Sequence, residues 1–137
     1  MSLSDLLRQL VRQLPSTSSI EFRLIDHLPD VFDISVKIKV NLYRVVQELC
    51  VNIIKHSGAT KTDIIAKLAG EYLSLSIIDD GKAFDPDDSI THGAGMINVN
   101  SRVFRLGGYI NYHQPKTSGM VVNVEIPVSS ELHDIES

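Results

Sequence analysis

Cysteine is almost absent from the sequence, with Cys50 the only one among 137 residues. A single cysteine cannot form a disulfide within the chain, and it excludes a zinc module built on several cysteine ligands. The composition fits a reducing, cytosolic setting.

Long apolar runs are lacking as well. No stretch approaches the ~20 residues that a helix needs to cross a bilayer. No basic segment followed by an apolar one stands at the start, as a secretion signal requires. We therefore expect a cytoplasmic domain.

Clustered positive charge is the third absence. The 13 lysines and arginines are scattered and are outnumbered by 17 acidic residues, which gives a net charge of −4. Nucleic-acid backbones are bound through grouped basic side chains. We expect no nucleic-acid partner.

The composition is that of an ordinary globular protein, with 43% apolar and 22% charged residues. A chain of this length is close to the common size of a single domain. We place one domain at residues 4–128 and a polar tail at 129–137.

Hydrophobic spacing predicts helices and strands in alternation. An apolar stripe predicts a first helix over 4–14 with Ser4 as its N-cap. The longest predicted helix is Ser35–His56, and Ser57-Gly58 supplies its stop signal. The other predicted elements are a strand around 20–24, a hairpin of Thr62–Ala69 and Tyr72–Ile78 turning at Gly70-Glu71, a helix marked by Met96 to Leu106, and the strands Tyr109–His113 and Met120–Pro127.

This order of elements indicates the fold class. Strands paired as hairpins beside helices on one face suggest an α+β, two-layer α/β sandwich, not a doubly wound parallel sheet.

A line of polar residues follows the long helix. Its apolar residues extend around much of the second half, as in a buried helix. Arg44, Glu48, Asn52 and then Lys55 or His56 nevertheless share one line at helical spacing. A narrow solvated edge is one interpretation. The other is a site for a hard cation such as Mg²⁺, which takes one or two protein oxygens and completes its shell with water and phosphates.

Two glycine clusters follow. The strand ending at Ile78 leads into Asp79-Asp80-Gly81, which puts an acceptor at the rim of the sheet, although Asp-Gly turns are common. Gly93 and Gly95 precede a helix, whose free N–H groups favour an anion. A flexible loop before a helix explains the second cluster equally well.

Two commoner nucleotide signatures are missing. No Gly-Lys-Ser or Gly-Lys-Thr occurs, so there is no Walker A loop. The glycine pair at 93 and 95 is not completed by a third glycine and does not precede a Rossmann-type unit.

In this order, the motifs resemble those of the GHKL ATPase superfamily. "ELCVNIIKH" resembles its asparagine box, "DDGKAF" its first glycine box and "GAGMINVNSR…LGG" its second, while "TSGMVVNVEIP" resembles its closing strand. Within the superfamily, the chain looks like the catalytic domain of a two-component sensor histidine kinase of the nitrate-sensor or DesK-like type. The resemblance implies the Bergerat ATP-binding fold, with a mixed, mostly antiparallel sheet and three helices on one face.

The resemblance also implies cofactors and roles. Asn52 would coordinate the Mg²⁺ that bridges the ATP phosphates, and Glu48 would act near the metal waters or as a general base. Asp79 would accept a hydrogen bond from the adenine amino group. The residues that the resemblance places at the nucleotide are Asn52, Lys55, His56, Asp79, Gly81, Ala83, Phe84, Gly93, Gly95, Met96 and Met120.

Two positions depart from the family pattern. Ala83 stands where a second glycine is usual, which costs on the order of 1 kcal/mol if the position needs a positive φ. Met120 stands where a threonine commonly helps to hold the adenine site. Both changes predict weakened nucleotide binding.

The resemblance further implies partners. In such kinases the phosphorylated histidine lies on an upstream dimerisation and phosphotransfer helical segment, which we expect to lie outside this sequence. A response regulator would be an indirect partner. We expect a membrane-bound homodimeric parent protein, and a monomer for the isolated domain.

Two other functions remain open from the sequence. An anti-sigma-factor-type serine kinase belongs to the same superfamily. A GHKL interaction module with impaired nucleotide binding is the non-enzymatic alternative, motivated by Ala83 and Met120.

Overall fold

A computed structural model describes residues 1–14, 19–30, 32, 34–82, 98–115 and 119–128. These residues form three helices and a five-stranded sheet. Within the described ranges, no helix is both long and apolar enough to cross a membrane.

The first helix, α1, spans Leu3–Gln13. Its N-cap is Ser2, whose hydroxyl accepts from the backbone N–H of Asp5 while the Asp5 carboxylate accepts from the Ser2 backbone N–H. This reciprocal capping box satisfies two backbone donors that the helix itself leaves free. The prediction of Ser4 as N-cap is therefore wrong, because Ser4 lies inside the first turn.

The long helix, α2, spans Val36–His56 with Ser35 as its N-cap, which confirms the predicted helix. The Ser35 hydroxyl accepts from the backbone N–H of Ile38 at 3.3 Å. The core-facing stripe is buried as its spacing predicts; its members are Leu42, Val45, Val46, Leu49 and Ile53.

The five strands are β1 (Glu21–His27), β2 (Lys61–Ala69), β3 (Tyr72–Asp79), β4 (Tyr109–His113) and β5 (Met120–Pro127). Their order in the sheet is β1-β2-β3-β5-β4. β1 pairs with β2 in parallel, and every other pair is antiparallel. The parallel pair requires a crossover, which α2 supplies.

The predicted hairpin is confirmed. β2 and β3 are joined by Gly70-Glu71, and Gly70 has a φ of 61°, which glycine adopts without steric strain. The last helix, α3, is described over residues 98–105 and buries Val99 and Val103.

One face of the sheet is apolar and packs against the helices, whereas the outer face mixes polar side chains with exposed Tyr72, Ile78 and Tyr109. Alternate residues of β2, β3 and β5 are buried with the apolar faces of the helices in one core cluster. On the other face, the Ser76 hydroxyl hydrogen-bonds to Asn123 at 2.6 Å, and Arg23 pairs with Asp63 at 3.0 Å. The predicted two-layer α+β sandwich is thus confirmed, since helices cover only the apolar face.

Candidate nucleotide-binding site

Three side chains form a row across the ends of the central strands. Thr62 on β2 is in register with Asp79 on β3, and Asp79 is in register with Met120 on β5. All three are buried, on the face of the sheet that packs against the helices. The strand pattern therefore brings a hydroxyl, a carboxylate and a thioether together beneath the helical layer.

Asp79 is the buried acid of this row. The residue is 5% exposed, and its Oδ1 accepts from the backbone N–H of Gly81 at 2.9 Å. Burial raises the pKa of the Asp79 carboxyl, the Gly81 N–H lowers it, and the nearby Asp80 carboxylate raises it. Burial dominates, because an ionised carboxylate loses hydration that one backbone donor does not replace.

The polar line on α2 passes from solvent into the core. Arg44 is exposed and Glu48 is half-buried, whereas Asn52 is buried with 8% of its surface exposed. Lys55 and His56 are exposed at the end of the helix. The solvated-edge interpretation fails at Asn52, since a solvated edge does not bury an amide.

The buried end of the polar line is the Asn52 amide. Its Nδ2 is buried and has no hydrogen-bond partner in the described part of the chain. Such a group costs free energy unless something else binds there.

The end of α2 contacts the turn after β3. The Ser57 backbone carbonyl accepts from the Lys82 N–H at 2.9 Å. A Cβ on Gly81 would collide with the Ser57 carbonyl oxygen and lie 2.8 Å from the Ser57 Cβ. Glycine at 81 is therefore required for this close approach. Asn52 lies about 7.5 Å before Ser57 along the helix axis, so the asparagine box and the first glycine box are neighbours in space.

Asp80 fixes the same junction from the other side. Its carboxylate accepts from the Thr60 hydroxyl at 2.6 Å, the Thr60 N–H at 2.8 Å and the Lys61 N–H at 3.0 Å. The Thr60 hydroxyl and the two N–H groups lower the pKa of Asp80 to about 2. Asp80 thus shapes the turn, while Asp79 beside it faces the core.

Gly119 allows the start of β5 to lie close to the backbone of Asp79. It has a φ of 91°, and a Cβ there would collide with the Asp79 carbonyl oxygen. Met120 follows at 3% exposure and packs in the core cluster. The departure from threonine at this position therefore places a thioether directly beside Asp79.

The structure places Asp79, Gly81 and Met120 at neighbouring strand ends and the turn after β3, and it places Asn52 near the end of α2 that contacts this turn. Other predicted residues lie outside the described part of the chain; these are Ala83, Phe84, Gly93, Gly95 and Met96.

Sequence reasoning missed Ser57, Asp80 and Thr62. Only the sheet register and the turn contacts identify them, since none belongs to a pattern that distinguishes it from an ordinary cap, turn or strand residue.

The residues present are compatible with a Mg²⁺ ion shared with phosphates. Among the described residues, no group of three or more His, Cys, Asp or Glu side chains could hold a metal by itself. One buried amide with a half-buried carboxylate one turn earlier matches a cation that takes one or two protein oxygens and completes its shell elsewhere.

The comparisons with known proteins agree with this geometry. The family model of the histidine kinase-, DNA gyrase B- and HSP90-like ATPases matches residues 37–130. This is more than half of the chain, and the chain belongs to this ATPase family.

Its relatives include a sensor protein and a sensor histidine kinase. The chain is 30% identical over 105 residues to the sensor protein VraS of Staphylococcus saprophyticus, which covers 77% of this chain and 30% of that protein. It is 30% identical over 98 residues to the sensor histidine kinase LiaS of Bacillus subtilis, which covers 72% of this chain and 27% of that protein. The chain thus spans less than a third of the length of these relatives.

The fold is shared with a solved histidine kinase. The blue-light activated histidine kinase of Erythrobacter litoralis EL346 matches with a TM-score of 0.77 at 21% identity, over 96% of this chain and 47% of that chain. With the family match and the curated relatives, this identifies a histidine-kinase-type ATPase domain of the kind that two-component sensor kinases carry.

Proposed function

We propose that this domain binds Mg-ATP and donates the γ-phosphoryl group to a histidine on an upstream dimerisation segment of its parent protein. The observation that carries the proposal is Asp79, a buried carboxylate at a strand end whose Oδ1 accepts from one donor, the Gly81 N–H, among the described residues. The adenine amino group would supply a second donor. A guanine carbonyl would instead place one acceptor against another, so the site favours adenine.

Phosphoryl transfer depends on positioning and charge neutralisation more than on covalent help from the protein. The bond between the γ-phosphorus and the oxygen of ADP breaks, and its electron pair leaves with ADP. A phosphorus–nitrogen bond to the acceptor imidazole forms, and the imidazole N–H proton is released. Glu48 is half-buried one helical turn before Asn52, and we assign it as the base that accepts this proton or orients metal-bound water.

Asn52 would hold the cation through its side-chain oxygen. A bound Mg²⁺ supplies neutralisation of the phosphate charge. The exposed Lys55 and His56 follow on the same helix and would lie near the phosphates. The atom of Asn52 that has no partner among the described residues is its Nδ2, a donor, which would serve a phosphate oxygen or a water of the bound nucleotide.

The test begins with calorimetric titration of Mg-ATP into the chain. We expect saturable binding below millimolar nucleotide. Labelled γ-phosphate should then pass to a separately added helical segment that carries the parent's acceptor histidine. Asn52→Ala should abolish this transfer, whereas Asn111→Ala, the same change on the exposed outer face of β4, should leave it intact.

Other outcomes would overturn the proposal. An acid-stable label would indicate a serine kinase, since phosphohistidine is acid-labile. No binding at millimolar Mg-ATP would favour an interaction module without nucleotide, for which Met120 beside Asp79 is the supporting observation.

The whole protein would act as a sensor kinase with this domain on its cytosolic side. We propose a membrane-anchored homodimer as the parent, an isolated domain that is monomeric, and a response regulator as the next phosphoryl acceptor. The likeness to the sensor protein VraS and to the sensor histidine kinase LiaS supports this assignment.

A further inference from the structure

Thr62 on β2 carries a buried hydroxyl. The residue is 1% exposed, and Oγ1 has no hydrogen-bond partner in the part of the chain that the structure describes. A hydroxyl buried in this way destabilises a fold, whereas valine fills nearly the same volume without that cost. Such groups in native proteins indicate a water, a ligand or a functional role.

The strand register places this hydroxyl beside the Asp79 side chain. The Asp80 N–H donates to the Lys61 carbonyl at 3.2 Å, while the Lys61 N–H donates to the Asp80 carboxylate, so one backbone hydrogen bond links these two residues at the end of the ladder. Thr62 and Asp79, one residue further along, form the next, non-hydrogen-bonded pair. Side chains approach most closely at pairs of this type.

Among the described residues that flank Asp79 in the row, Thr62 alone offers an unused hydroxyl donor. Met120, the neighbour of Asp79 on the other side, has only a thioether, which is a weak acceptor. The Gly81 N–H is already committed to Asp79 Oδ1. Within the described part of the chain, the unused hydroxyl that a ligand on Asp79 would meet therefore lies on the β2 side.

We propose that Thr62 is a specificity-determining residue of the nucleobase site. Its hydroxyl donates, directly or through one water, to the ring nitrogen of adenine that flanks the amino group bound by Asp79. This nitrogen is N1 or N7, depending on which edge of the base faces β2. The inference rests on the proposed function, because it requires an adenine amino group at Asp79.

The chemistry of adenine suits this arrangement. Its amino group lies between two acceptor nitrogens, so an acceptor and a donor placed side by side in the protein read two adjacent positions of the base. Guanine carries an N–H at N1 and a carbonyl at C6, and it opposes the Asp79 carboxylate. One hydrogen bond of this kind changes affinity by about three- to tenfold.

The experiment compares wild type, Thr62→Val and Thr62→Ser in the full chain. Mg-ATP affinity is measured by calorimetry, and the melting temperature is measured without nucleotide. We expect Thr62→Val to melt at the same or a higher temperature yet bind Mg-ATP three- to tenfold more weakly. Thr62→Ser should bind within twofold of wild type, because it keeps the hydroxyl. Ser76→Ala, which removes a hydroxyl from the outer face of β3, serves as the control and should not change affinity.

Deaza nucleotides identify the contact. If Thr62 bonds N1, wild type should lose affinity for 1-deaza-ATP, and Thr62→Val should show no further loss with that analogue. If instead wild type loses affinity for 7-deaza-ATP and Thr62→Val shows no further loss with it, the contact is with N7. If Thr62→Val weakens the binding of ATP, 1-deaza-ATP and 7-deaza-ATP by the same factor, the inference is overturned, because the hydroxyl then contacts neither ring nitrogen.

Two further results would also overturn it. If wild type and Thr62→Val bind Mg-ATP equally well, the inference is wrong but the proposed function is unaffected. A melting temperature lowered in Thr62→Val would assign the hydroxyl a structural role. Absence of Mg-ATP binding by wild type itself would remove the proposed function and this inference together.

Discussion

At the scale of single residues, neighbouring acids in one turn have opposite roles. Asp79 faces the core with one donor, and burial raises its pKa. Asp80 faces outward, and three donors lower its pKa to about 2. Two adjacent carboxyls with opposite shifts indicate separate tasks, the first in binding and the second in holding the turn.

Replacing Asp79 by asparagine should stabilise the nucleotide-free protein and weaken ATP binding. When folding raises the pKa of a carboxyl, folding favours its protonated form. The resulting stabilisation is complete below the unfolded-state pKa of about 3.9 and is lost as pH rises through the higher folded-state pKa. At neutral pH the ionised, buried Asp79 therefore destabilises the fold. Asp79→Asn should raise the melting temperature at pH 7 and lower Mg-ATP affinity about tenfold or more.

The pH profile separates this effect from titration of the nucleotide. The ratio of wild-type to Asp79→Asn affinity should be constant near neutral pH and fall as pH approaches the raised pKa of Asp79 from above. Asp63→Asn, on the outer face of β2, controls for loss of one carboxylate. A ratio that stays constant as the pH falls into the acidic range where Asp79 takes up its proton would contradict the role of Asp79 as the ionised acceptor.

At the scale of secondary-structure elements, the junction between α2 and the turn after β3 positions the site. Asp80 joins residues 60 and 61 to the turn, and Ser57 joins the end of α2 to Lys82. Asn52 and Asp79 thus lie on two elements held together at their ends. The site depends on this junction as much as on the residues that would touch a nucleotide.

Removing the Asp80 carboxylate should loosen the junction in a pH-dependent way. A lowered folded pKa gives a stabilisation that is present above the unfolded value of about 3.9 and is lost as pH falls towards about 2. Because Asp80 is exposed, screening limits this contribution to about 1 kcal/mol. Asp80→Ala should lower the free energy of unfolding at pH 7 by that amount, measured by urea denaturation.

The matched variant is Asp80→Asn, which keeps an acceptor oxygen but does not titrate. The difference in stability between wild type and Asp80→Asn should shrink between about pH 5 and pH 2. A difference that stays constant over this range would show that the three hydrogen bonds do not depend on the charge of Asp80.

Much of the fold could be predicted from the sequence, because α2 and the paired strands have clear periodicity and clear end signals. The start of α1 could not be assigned by serine alone, since Ser2 and Ser4 both precede the apolar stripe. Asp5 decides between them by closing a capping box with Ser2. Thr62 was missed for a different reason: a threonine in a strand is ordinary, and only the register reveals its unpaired hydroxyl beside Asp79.

At the scale of the whole molecule, the first two elements belong to the core although the family match begins at residue 37. Buried side chains from α1 and β1 are Leu3, Leu7, Leu10 and Phe22. Full burial of such side chains contributes about 1.5–3 kcal/mol each. Their sum is comparable to the whole stability of a typical domain.

A chain shortened to residues 37–137 should therefore fail to fold cooperatively. It loses both the leucine face of α1 and the strand that pairs with β2. Circular dichroism melting should show no cooperative transition, while a chain that lacks only Met1 should melt like the full one. A cooperative transition at the original temperature in the shortened chain would contradict the prediction.

The parallel pairing of β1 with β2 also has a consequence for synthesis on the ribosome. β2 ends 42 residues after β1, which corresponds to roughly 2–8 s of translation. During that interval the emerging β1 lacks the strand with which it pairs, whereas α1, which packs against β1, has already been made. We therefore expect α1 to shield the apolar side of the unpaired strand until the crossover helix and the partner strand have been made.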